Sequence, residues 1–134
     1  MRNSGSTSRL IGIFGALLAS TLVGCASKPP AEVSRSELAS VRQSSASIKV
    51  GDQKQAVLDA FKSGNKLKLG SSVIDGATIE EWKVEAYHDE DKRKDLFVRF
   101  LYFCNDRLVD TSDTRIDYRT NTALVEKWKS SVAH

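Results

Sequence analysis

Asp95–Asn105 reads DLFVRFLYFCN, and the fold turns on how this stretch is read. In an extended strand, successive side chains point to opposite faces. Leu96, Val98, Phe100, Tyr102 and Cys104 then form one apolar face, and Phe97, Arg99, Leu101 and Phe103 form the other. Apolar residues on both faces belong to a central strand. On its C-terminal side, Asn105-Asp106 supplies a turn, and Arg107-Leu108-Val109 opens a strand running toward Ile116. On its N-terminal side, residues 88–94 read HDEDKRK, a solvated hairpin loop. Before that loop, Trp82, Val84 and Ala86 alternate with Glu81, Lys83 and Glu85, the pattern of a half-buried strand. The centre of the chain is thus read as a three-stranded antiparallel meander.

Further upstream the period changes. Val57, Leu58 and Phe61 recur at helical spacing, with Asp52 as N-cap, Gln55 as its capping-box partner and Gly64 as a stop. This predicts a helix over 52–63. A second short helix is expected around Leu38 and Val41, capped by Ser34 with Glu37 three residues later. Asn65–Gly76 reads as a loop, with a brief strand at Leu67–Leu69. Leu124, Val125, Trp128 and Val132 make a helical stripe near the C-terminus, capped by Asn121. The fold class is α+β: two short helices, the three-stranded meander and a short C-terminal helix. Trp82, Phe100, Val57 and Phe61 are expected to pack together between sheet and helix.

The N-terminus is read differently. Arg2 and Arg9 precede the uncharged run LIGIFGALLASTLVG at Leu10–Gly24, which is short for a membrane span and suits a signal peptide. Leu22-Val23-Gly24-Cys25 resembles a lipobox. The Cys25 thiol would accept a diacylglyceryl group, and small Gly24 would let the peptidase reach the scissile bond. The chain of 134 residues then divides into a leader at 1–24, a lipidated N-terminus and polar tether at 25–47, and a small domain at 48–134. Its net charge of +3 falls to +1 when Arg2 and Arg9 leave with the leader, which gives no reason to expect a nucleic-acid partner. Of the two cysteines, acylation of Cys25 leaves Cys104 without an intramolecular partner, so no disulfide framework is expected.

Several of these features together resemble the SmpA/OmlA (BamE-like) family of small outer-membrane lipoproteins. They are Val50-Gly51, the polar helix start Asp52–Gln55, Val57, Phe61, Trp82, Phe100, Tyr102 and Phe103, followed by Asn105-Asp106-Arg107-Leu108-Val109. The resemblance covers about Ser36 to Arg115. It implies a fold of two helices followed by three antiparallel strands. It also implies an accessory role beside the machine that inserts β-barrels into the outer membrane. No binding residue of the family maps onto a position of this chain.

Catalytic signals are weak. His88 lies beside Asp89, Glu90 and Asp91, but neighbours on a loop converge poorly on a cation, and no metal site is expected. No G-x-S-x-G turn and no glycine-rich phosphate loop occurs, and no cofactor is expected. The chain is read as a non-enzymatic scaffold or accessory subunit, held on the periplasmic face of the outer membrane by acyl chains on Cys25 and engaging an envelope protein. The alternative is an inhibitor lipoprotein that blocks an envelope hydrolase. Phe97, Arg99, Leu101 and Phe103 are the candidate interface, because Arg among aromatics is a common interface composition. The C-terminal helix is the competing cover for that stripe.

Overall fold

The computed structural model describes residues 31–90 and 93–133. Residues 1–30, which include the segment read as a leader and Cys25, lie outside the described residues. In chain order the elements are β1 (Ala31–Glu32), α1 (Arg35–Ser47), α2 (Lys54–Ala60), β2 (Asn65–Ile74), β3 (Ala77–Glu90), β4 (Arg93–Cys104), β5 (Arg107–Ser112) and α3 (Thr122–Ser131). The fold is α+β. Strands β2 to β5 form a four-stranded antiparallel meander, and β1 adds a short parallel pairing of Ala31–Glu32 to Ala86–Tyr87. No helix among the described residues is long and apolar enough to cross a membrane.

Local chemistry accounts for most boundaries. Ser34 and Glu37 close a reciprocal capping box at the start of α1, as their spacing predicts. This helix buries Leu38 and Val41, so from residue 31 onward the polar segment belongs to the folded unit and is not tether. Helix α2 is shorter than expected. Its N-cap is Gln53, without a side-chain cap bond, because the Asp52 carboxylate instead accepts from the Lys49 N–H at 2.9 Å.

The expected loop at 65–76 is the largest departure. It is a ten-residue strand paired to β3 through a two-residue turn, Asp75-Gly76, with φ of 50° and 80°. Asp-Gly with both φ angles positive is the preferred chemistry of such a hairpin turn. Asn105 and Asp106 do the same between β4 and β5, at φ 50° and 67°. The charged stretch at 88–94 is also mostly strand, with His88 opposite Asp95 and Asp89 opposite Lys94. Beyond the core, both faces of a hairpin can be polar.

Strand register decides which side chains share a face, since directly paired residues of antiparallel strands project to the same side. Trp82 pairs with Leu101, Val84 with Arg99 and Ala86 with Phe97. On this first face Val84, Ala86, Phe97, Leu101, Phe103 and Leu108 pack against Leu38 and Val41 of α1 and Val57, Leu58 and Phe61 of the α2 region. On the second face Ile79, Phe100, Tyr102, Cys104 and Val109 pack against Tyr118, Val125 and Trp128. Phe100 is therefore not with Trp82, Val57 and Phe61, as expected, but on the opposite face with α3. The layers are helix, sheet, helix, with the two N-terminal helices on one face and α3 on the other. Both faces of β4 are apolar, so its sequence alone could not say which helix covers which face.

Candidate functional site

The four residues read as a candidate interface fall on the first face. Phe97, Leu101 and Phe103 are buried there beneath α1 and α2. The stripe is thus closed, and by the N-terminal helices rather than by α3. Only Arg99 reaches the surface from it, with its side chain 29% exposed. Its Nε donates to Ser45 Oγ at 3.1 Å, and its guanidinium pairs with Asp113 at 2.6 Å. Four residues toward the hairpin on the same face, Asp95 pairs with Arg42 at 2.7 Å. These contacts tie α1 and the chain after β5 to one margin of the sheet.

That margin is incomplete. Strand β5 pairs with β4 only from Phe100 to Cys104, whereas β3 pairs with it from Arg93 onward. Residues 93–99 of β4 therefore have a strand on one side and, among the described residues, none on the other. Beside this open edge lies a groove of about 530 Å³, walled by Ser45 and Ala46 of α1, by Phe97 and Val98, and by the Arg99–Asp113 pair. An open edge presents unpaired backbone donors and acceptors, which is the feature an added strand uses. Sequence reasoning found Arg99 but missed Arg42, Ser45 and Asp113. Arg42 and Ser45 meet β4 across more than fifty residues of chain, and nothing local marks them.

No family model, curated protein or solved structure matches the chain.

The second face holds a buried charge. Glu81 is 1% exposed, and Arg115 grips its carboxylate through two nitrogens at 2.7 and 3.1 Å. The Tyr102 hydroxyl donates to Glu81 at 2.8 Å and accepts from the Ile116 N–H at 2.7 Å. Burial opposes ionisation of Glu81, but the bonds from Arg115 and Tyr102 outweigh it and hold the carboxyl below the usual range. Burial and the Glu81 carboxylate push the Tyr102 hydroxyl well above its ordinary value. This cluster fastens the connection from β5 to α3 across the sheet. It contains no nucleophile poised by a base.

Glu80 plays a similar part on the first face. It accepts from Lys54 Nζ at 3.0 Å and from the Trp82 indole at 2.9 Å. These partners overcome the cost of burial and keep it ionised below the ordinary range. His88 sits with Nδ1 2.9 Å from the Val33 carbonyl and Nε2 3.3 Å from Glu90, so it fastens β1 to β3. Among the described residues no group of three His, Cys, Asp or Glu could hold a metal ion. Cys104 is free and buried, and burial pushes its thiol up, away from reactivity at neutral pH.

Proposed function

We propose that this chain is a lipid-anchored scaffold or accessory subunit of the bacterial outer membrane, non-enzymatic, facing the periplasm and acting in outer-membrane assembly or integrity. Its partner engages the open edge of β4 at Phe97–Arg99 and the part of the groove that α1 walls. The observation that carries the binding reading is that edge, where residues 93–99 lack a second neighbour among the described residues. The anchor is Cys25, within the Leu22–Cys25 lipobox. One acyl chain binds membranes marginally and two or three bind stably, so a triacylated Cys25 would hold the chain permanently. The likeness to SmpA/OmlA lipoproteins belongs to the same proposal. The order of two helices followed by an antiparallel sheet supports it, while the long β2 and the covering α3 extend that pattern. A photo-crosslinking residue at Ala46, which is exposed at the groove, should capture an envelope protein in living cells. The same residue at Ser130, on α3, should not. Capture from both positions, or from neither, would refute the edge as the docking site.

A further inference from the structure

The domain's attachment is short and off-centre, and this bears on how it meets the bilayer. The first described residues are already locked in place. Ala31 pairs with Ala86, the Val33 N–H donates to the Tyr87 carbonyl at 2.8 Å, and Arg35 pairs with Glu90. All these contacts lie in the half of β3 that leads to the β3–β4 hairpin. From Cys25 to Ala31 there are 31 − 25 = 6 residue steps, which reach at most about 22 Å when fully extended. The other end of the sheet carries the Asp75-Gly76 and Asn105-Asp106 turns and the C-terminal end of α3. Along β3 that end is 86 − 77 = 9 residues from the attachment level, or roughly 30 Å. An acylated Cys25 cannot span that distance. The turn end therefore cannot stand on the bilayer with the hairpin end upward.

A second observation lies at the hairpin end. Helix α3 and the connection preceding it cover the second face near Ile79, Tyr102 and Cys104, but not near the hairpin. There Tyr87 pairs with Leu96, and Leu96 is 52% exposed. The Lys94 ammonium lies 4.4 Å from the centre of the Tyr87 ring. Tyr, Leu and a long Lys side chain suit the boundary between headgroups and acyl chains, where each can keep its apolar body in lipid and its polar tip in water.

Resting on the reading of Cys25 as the lipidated residue, we propose that the Tyr87–Lys94–Leu96 patch is the bilayer-facing surface of the domain and that the two-turn end projects away from the membrane. On the same face Asp89 lies opposite Lys94 in the strand register, so the patch carries one charge of each sign and its contact with lipid is chiefly apolar, with little dependence on salt.

The test uses the full-length lipidated protein in phosphatidylcholine vesicles with brominated acyl chains. A fluorophore is attached through Asp89→Cys or through Ser130→Cys, both exposed positions. Cys104 is buried, so the folded protein is labelled at the introduced thiol. Quenching should be several-fold stronger at 89 than at 130, and Leu96→Asp should weaken it at 89. Equal quenching at both positions in protein whose mass shows acylated Cys25 would overturn the orientation and leave the anchor standing. Unchanged quenching in Leu96→Asp would overturn the patch. An unmodified Cys25 in protein recovered from membranes would overturn both the anchor reading and the proposal built on it.

Discussion

The two faces of the sheet are closed by different means. The first is sealed by two helices that each contribute an apolar stripe, and its buried carboxylate, Glu80, sits at the margin with Lys54 and Trp82. The second is closed by one helix and an irregular connection, which is held to the sheet by Glu81, Arg115 and Tyr102. Packing is non-directional and tolerates small shifts; a buried ionic cluster fixes one geometry and loses much of its value when any partner is removed. The first face should therefore respond to lost volume and the second to lost charge.

The largest effect should come from the first face. Phe103→Ala removes a ring that is 1% exposed and should cost about 3–5 kcal/mol, read from urea denaturation. A loss below about 1 kcal/mol would mean that the helices relax to fill the space. Next is Gly64→Ala, where an added Cβ would lie 2.8 Å from Val84 Cγ1 in the same layer. Overpacking of this kind should cost roughly 1–3 kcal/mol. Its Tm should fall, and a Val84→Ala partner change should recover part of the loss.

On the second face, Glu81→Gln removes the charge and keeps the shape. Arg115 is largely exposed and can turn to solvent, so the expected cost is about 1–3 kcal/mol at neutral pH. The sign of its pH dependence follows from the lowered carboxyl. The Glu81 contribution is fully present above the ordinary value of 4.5 and is lost as pH falls through the lower folded value. A plot of Tm against pH should therefore flatten below 4.5 in the variant relative to wild type. Parallel curves would show that folding does not lower the Glu81 carboxyl. The smallest effect on stability should come from Ala46→Glu, an exposed change expected to stay within about 0.5 kcal/mol. It should nevertheless reduce partner capture by a photo-crosslinking residue placed at Val98, across the same groove, and unchanged capture would place the partner elsewhere.

Much of the fold was legible because it rests on local signals. The Ser34–Glu37 capping box, the strand at 81–86 and the Asn105-Asp106 turn are each written within a few residues and appear as expected, but the strand is not half-buried: Glu81 and Glu85, read as its solvent face, are buried on the second face because α3 and the connection before it cover that side. One local signal went unread. Asp75-Gly76 is a strong hairpin marker, but β2 alternates weakly, with Gly70, Ser71 and Ser72 in its middle and a bulge between Lys68 and Gly70. A strand without a clear apolar face looks like a loop until its partner is known. The candidate site was less legible. Phe97, Leu101 and Phe103 were correctly placed on one face with Arg99, but the choice of covering helix depends on β3–β4 register, which a doubly apolar strand does not specify. Arg42 and Asp113 have meaning only through their contacts with β4.

The entry of the chain beside β3 has a consequence for the order of folding. Strands β2 to β5 are successive hairpins, and each pairing can form as soon as its neighbour is made. Helix α1 is different: its ion pair joins Arg42 to Asp95, and the segment before it waits for the Tyr87 carbonyl. These contacts span more than fifty residues, and long-range closure is the slow part of assembling such a topology. During synthesis the N-terminal segment is made first, yet it has nothing to dock on until β3 and β4 exist. The part of the domain nearest the proposed anchor is thus the first to be made and the last to be held.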